Sequence, residues 1–163
     1  MELRDGTSGD VVVIRPVDYE FPSTVDHDDL NWLIIEGHVR AGDEEWGFRD
    51  PALQVDDARA LGTWLAEVLR DEVETTVDGL FDGEPQFSAL EPNIGFGFIA
   101  RTTTSVTLRV FLRAESAPPS RRSDSAGRQA EFFVDLSLDA DDLRLAISIW
   151  REECALFPDR FPQ

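Results

Sequence analysis

An α+β fold is predicted for this chain: an antiparallel β-sheet of about six or seven strands with two helices packed on one face, in the order β-β-β-α-β-β-β-β-α. Three observations predict it. Two segments carry apolar residues at helical spacing, the remaining apolar segments alternate with period two, and most strands follow one another without an intervening helix, which favours antiparallel pairing. A length of 163 residues fits one domain, 1–163, able to build a core without disulfides or metal.

The first strands are expected at Val11 to Val17, Trp32 to Arg40 and Trp46 to Phe48, the last two joined by a turn at Ala41-Gly42-Asp43. Leu61, Trp64, Leu65, Val68 and Leu69 then form one apolar stripe on a helix from about Val55 to Glu72, with Asp56 and Asp57 where first-turn acids belong. Gln86 to Leu90 reads as a short strand. Ile94, Phe96, Phe98 and Ala100 alternate with Gly95, Gly97, Ile99 and Arg101, and the run to Ser105 links this strand to the next. There Val106, Leu108, Val110 and Leu112 face one way and Thr107, Arg109, Phe111 and Arg113 the other. The Ser-, Pro- and Arg-rich stretch Ala114 to Gln129 reads as a long exposed hairpin loop, after which Phe132, Val134, Leu136 and Leu138 repeat the strand pattern. Leu143, Ala146, Ile147, Trp150 and Cys154 mark a second helix from about Asp139 to Leu156, stopped by Pro158. Trp64 and Trp150 lie on the two helix stripes, so both are expected to be buried.

Several chemistries find no support. Cys154, the single cysteine, falls on a helix stripe, where a thiol packs as a small hydrophobe, and one cysteine cannot form an intramolecular disulfide. No Gly-x-Ser-x-Gly elbow occurs. His27, within Asp26-His27-Asp28-Asp29, and His38, between Glu36 and Arg40, lack metal-ligand spacing. Gly95-x-Gly97 sits inside a strand with no third glycine opening a helix, so it reads as close packing or a bulge rather than a phosphate cradle. No cofactor is expected. One enzymatic alternative stays open: a small-molecule site using Glu91, Glu36 and Asp135, although Glu91 is more simply expected to be buried and to accept backbone amides.

Charge is the most informative feature. The formal net charge is −18, and the cations are all arginine, which points to a GC-rich coding sequence. Such a charge repels phosphates and disfavours nucleic-acid binding; Arg121, Arg122 and Arg128 read as a solvated loop. No apolar run is long enough to span a membrane, and Met1 to Asp10 lacks the cationic and apolar regions of a secretory signal, so the expected compartment is the cytoplasm. The acidity is lopsided: residues 1–82 carry 21 acids against 6 arginines, whereas 83–163 carry 12 against 9. Asp71, Glu72, Glu74, Asp78, Asp82 and Glu84 cluster after the first helix, where the dipole disfavours anions by about 0.3–1 kcal/mol each. Two uses fit them: solubility, or a docking surface for a basic partner. A second anomaly is the outward sheet face, where Phe111, Phe133 and Ile99 stand among Arg101, Arg109, Arg113, Glu131 and Asp135. It is either covered, by the N-terminal strand or a homodimer mate, or it is a partner surface.

Several segments in order resemble the WapI family of bacterial immunity proteins: Asn31 to Gly37, Trp46-Gly47-Phe48, Gly62-Thr63-Trp64-Leu65, Leu90 to Phe96, Glu115 with Pro118-Pro119, and Phe157-Pro158-Asp159-Arg160. The resemblance covers about Trp32 to Arg160, with Ser120 standing where an aromatic is expected after the proline pair. It implies a cytoplasmic protein that binds the C-terminal domain of a polymorphic toxin and blocks it stoichiometrically, without catalysis. The partner expected on this reading is a protein, a cationic toxin domain, with no nucleic acid and no membrane. The residues taken to meet it are Asp71, Glu72, Glu74, Asp78, Asp82, Glu84, Phe111 and Phe133.

Overall fold

The computed structural model describes residues 1–24, 26, 29–121 and 132–160. Strands β1 (Glu2–Arg4), β2 (Val11–Tyr19), β3 (Trp32–Ala41) and β4 (Glu44–Gln54) form an antiparallel sheet in that order. Helix α1 (Val55–Leu69) follows directly. A two-stranded hairpin, β5 (Leu80–Phe81) and β6 (Glu84–Pro85), leads into a second antiparallel sheet of β7 (Phe87–Ser88), β8 (Ile94–Arg101), β9 (Ser105–Leu112) and β10 (Phe132–Asp139), ordered β10-β9-β8-β7. Helix α2 (Ala140–Cys154) closes the fold. The expected α+β class and its alternation of antiparallel strand groups with two helices hold, the strands dividing into sheets of 4, 2 and 4.

The sheets meet where β1 approaches β10, and a buried carboxylate joins them. Asp5 accepts the Ser137 amide at 2.6 Å with one oxygen and the amides of Thr7 and Ser8 at 2.6 and 2.7 Å with the other. Burial works to raise this carboxyl, but the amides of Ser137, Ser8 and Thr7 outweigh it together and hold the group below its ordinary range.

Period-two patterning fills the interior: Val12 and Ile14 from β2, Leu33, Ile35 and Val39 from β3, Phe96 and Phe98 from β8, and Leu108 and Val110 from β9 all join one core. Gly37 leaves room for the Phe48 ring, which would lie 2.1 Å from a Cβ there. The helices lock through Trp150, fully buried, whose indole N–H donates to the Ala58 carbonyl at 2.7 Å. Trp64 departs from expectation. It is only partly buried, because the α1 stripe reaches the rim of the core there and its ring leans on Phe87 and Phe96 at 6.3 and 6.4 Å.

Helix α1 ends at Leu69, three residues short of the expected Glu72. The Asp71 amide donates to the Val68 carbonyl and the Glu72 amide to Glu67, with Asp71 in the left-handed region at φ 64°, a reciprocal C-terminal closure that uses Asp in place of Gly. The segment expected as exposed loop from Ala114 is instead packed at its start. Ser116, Ala117 and Pro118 are buried, because the Trp46 indole donates to the Ser116 carbonyl at 2.9 Å and the Ser116 hydroxyl accepts the Arg113 amide. Ser120 donates to Glu44 at 3.0 Å. Residues 122–129 of that loop, with Arg122 and Arg128, lie outside the described residues, as do His27 and Glu131. No helix among the described residues is long and apolar enough to cross a membrane.

Candidate partner interface

The acidic segment after α1 and the outward face of the second sheet, two separate features in the sequence, are one surface. Residues 71–86 run as a strap across β8. Gly79, at φ +77°, lies directly on Gly97, and Pro85 lies on Gly95: a Cβ on Gly97 would stand 2.4 Å from the Gly79 Cα, and one on Gly95 would stand 2.7 Å from the Pro85 Cγ. The Gly95-x-Gly97 pair therefore exists to let another backbone approach the sheet. The Thr76 amide donates to the Phe98 carbonyl at 3.0 Å, and the Gln86 side chain binds both the Glu74 carbonyl at 2.7 Å and the Phe98 amide at 2.6 Å. Next to this seat β8 breaks register between Phe98 and Ala100.

Arginines from the sheet hold the strap from below. Arg101 pairs with Asp71 at 2.9 Å and donates to the Val68 carbonyl, so its guanidinium faces the negative end of α1. Arg109 donates to the Asp78 carbonyl at 3.2 Å, grips Asp135 with two bonds of 2.7 Å and stacks on Phe133 at 3.8 Å. Arg113 pairs with Glu84 at 3.3 Å.

This arrangement sorts the sequence-predicted residues. Asp71, Glu72 and Glu84 are solvent-facing but each is paired with an arginine, Glu72 with Arg70 at 2.6 Å, which lowers the Glu72 carboxyl and raises the guanidinium. Asp78 uses one oxygen to hold the Leu80 amide at 3.1 Å. Glu74 and Asp82 make no side-chain hydrogen bond or ion pair among the described residues, so their charges face solvent. Phe133 is 47% exposed, whereas Phe111 is 3% exposed. Phe111 registers between Phe133 of β10 and Gly95 of β8, the glycine on which Pro85 of the strap lies, and its ring packs 6.4 Å from that of Phe133. As a residue taken to meet a partner directly, Phe111 is thus a support beneath the surface. Sequence reasoning missed two neighbours, Val77 and Phe81, which are 98% and 69% exposed. Their apolar character was visible, but the lack of any periodicity across 71–86 hid their outward direction.

The alternative small-molecule site does not assemble. Glu91 is exposed in the turn before β8 rather than buried among amides, Glu36 is exposed on the first sheet, and Asp135 is engaged by Arg109 on the second. His38 lies exposed on β3, 3.0 Å from Glu45. Among the described residues no group of three or more His, Cys, Asp or Glu could hold a metal. Cys154 is buried, and burial pushes its thiol up to about 12. Arg121 faces Glu44 at 3.7 Å and the Phe132 ring at 5.2 Å.

The scaffold is thus that of a small acidic α+β protein in which a six-carboxylate strap and the exposed Phe81 and Phe133 share one sheet face. Residues 3–158, nearly the whole chain, match the Immunity protein WapI-like family, and the chain belongs to that family. No curated protein and no solved structure matches it.

Proposed function

We propose that this immunity protein acts in the cytoplasm as a single domain that binds one cognate toxin domain, of cationic character, and neutralises it by occupancy rather than by catalysis. The observation that carries this reading is the strap: six carboxylates and no cation between 71 and 86, seated on a face that also exposes Phe133. Solubility alone needs acids scattered over a surface. It does not need a segment whose glycines and arginine contacts fix the carboxylates in one place. A one-signed field of this kind raises the encounter rate with an oppositely charged partner and falls off over a Debye length of about 10 Å at 0.1 M salt. Toxin domains that act on nucleic acid carry basic clefts, and an acidic protein surface complements such a cleft.

The test replaces Asp78, Asp82 and Glu84 with their amides and follows binding to the purified C-terminal domain of the toxin encoded directly upstream. The association rate is expected to fall and its salt dependence to flatten, with stability nearly unchanged, because the one ion pair lost among the described residues, Glu84 with Arg113, is largely exposed on the glutamate side. Association at the wild-type rate at both low and high salt overturns the assignment of this face.

A further inference from the structure

The strap carries an apolar feature that its charge does not explain. At its outermost point Leu80 pairs with Pro85 and Phe81 with Glu84, closed by Asp82 and Gly83 at φ 52° and 87°, the backbone of a tight two-residue hairpin turn. Pro85 is directed onto Gly95 of the sheet. Period-two alternation then turns Phe81 away from the sheet, where it is 69% exposed. Phe87, Phe96, Phe111 and Phe133 each pack against another ring; Phe81 takes part in no ring contact among the described residues. A hairpin seated on the glycines of β8 therefore holds a phenylalanine in water.

We infer that Phe81 is the anchor of the toxin interface, entering an apolar recess of the partner whose rim is lined by Arg or Lys facing Asp78, Asp82 and Glu84. This rests on the toxin-binding reading above and adds to it the shape of the partner's site. Nucleic acid is repelled by the flanking carboxylates. A second copy of this chain is disfavoured by the same charge, since it would set one six-carboxylate strap against another. An apolar pocket with a cationic rim satisfies both the ring and its neighbours. A central aromatic enclosed by a polar rim is the arrangement that concentrates binding energy at protein interfaces.

Phe81 and the carboxylates then separate kinetically: charges govern encounter, and the buried ring governs escape. With the purified upstream toxin domain immobilised, Phe81→Ala is expected to raise the dissociation rate about 30-fold or more, leaving the association rate and its salt dependence near wild type. Phe81→Leu should recover part of the loss. The thermal midpoint of both variants should match wild type, because an exposed ring contributes little to folding. Dissociation of Phe81→Ala at the wild-type rate overturns the anchor while leaving toxin binding intact. Absence of binding by the wild-type protein overturns both readings. A wild-type dimer that Phe81→Ala converts to monomer by sedimentation also overturns it, by making a second copy the occupant.

Discussion

If the strap is seated on β8 as described, Gly97→Ala should unseat it. A Cβ at position 97 would stand 2.2 Å from the Gly79 carbonyl oxygen, 2.4 Å from its Cα and 2.7 Å from its carbonyl carbon. All three are backbone atoms, so no side-chain rotation relieves the clash. The strap must retreat by roughly 1 Å or more to restore ordinary contact near 3.5 Å. Retreat strains two bonds that join this part of the strap to the sheet, from Arg109 to the Asp78 carbonyl at 3.2 Å and from the Thr76 amide to the Phe98 carbonyl at 3.0 Å. With about 1 kcal/mol for each bond weakened and about 1–3 kcal/mol for overpacking, partly overlapping, the expected loss is about 2–3 kcal/mol. Urea unfolding measures it as a lower midpoint at unchanged slope. Gly6→Ala is the control, since nothing lies within 4 Å of a Cβ there. A Gly97→Ala protein within about 0.5 kcal/mol of wild type would show that the strap does not rest on β8.

Trp150→Ala removes a fully buried ring and the 2.7 Å bond to Ala58 that ties the two helices; calorimetric or urea unfolding should register a loss of about 3–5 kcal/mol, and a loss under about 1 kcal/mol would contradict the packing. Asp5→Asn should destabilise the protein at neutral pH, because an amide cannot accept from the Ser137, Thr7 and Ser8 amides as the carboxylate does. The folded pKa of Asp5 is depressed, so its contribution is complete above the ordinary value of about 3.9 and is lost as pH falls through the folded value. The stability gap between wild type and Asp5→Asn should therefore close on acidification below that range; a gap that stays constant with pH would refute the role of the ionised carboxylate.

Periodicity is a local property, and what it can report was legible: both helices, the strands β2 to β4 and β8 to β10, and the turns at Gly42 and after Arg101. β7, two residues long, falls inside the short strand expected at Gln86 to Leu90, whereas β1 with three residues and β5 and β6 with two each are too short to display an alternation. The destination of the acidic segment was illegible for a different reason. Its composition says that it is charged and turn-forming, but the contact that places it, Gly79 on Gly97, joins residues distant in sequence through backbone atoms with no side-chain signature. The complementary signal was present in β8 as two glycines on one strand face. It announced a close approach without naming the approaching segment. Phe111 shows the same limit: alternation assigned it to the outward face of β9, yet it is buried there while its neighbour Phe133 on the same face stays exposed.

Neutralisation by occupancy requires that the protein bind a toxin domain one to one. Titration calorimetry of the protein into the C-terminal domain encoded upstream, paired with an activity assay of that domain, should give a single site per domain, with toxicity vanishing at molar equivalence and affinity weakening steeply as salt rises. Toxin inactivated by a small fraction of an equivalent would show turnover in place of occupancy, and no heat at low salt together with undiminished toxin activity would contradict the account altogether.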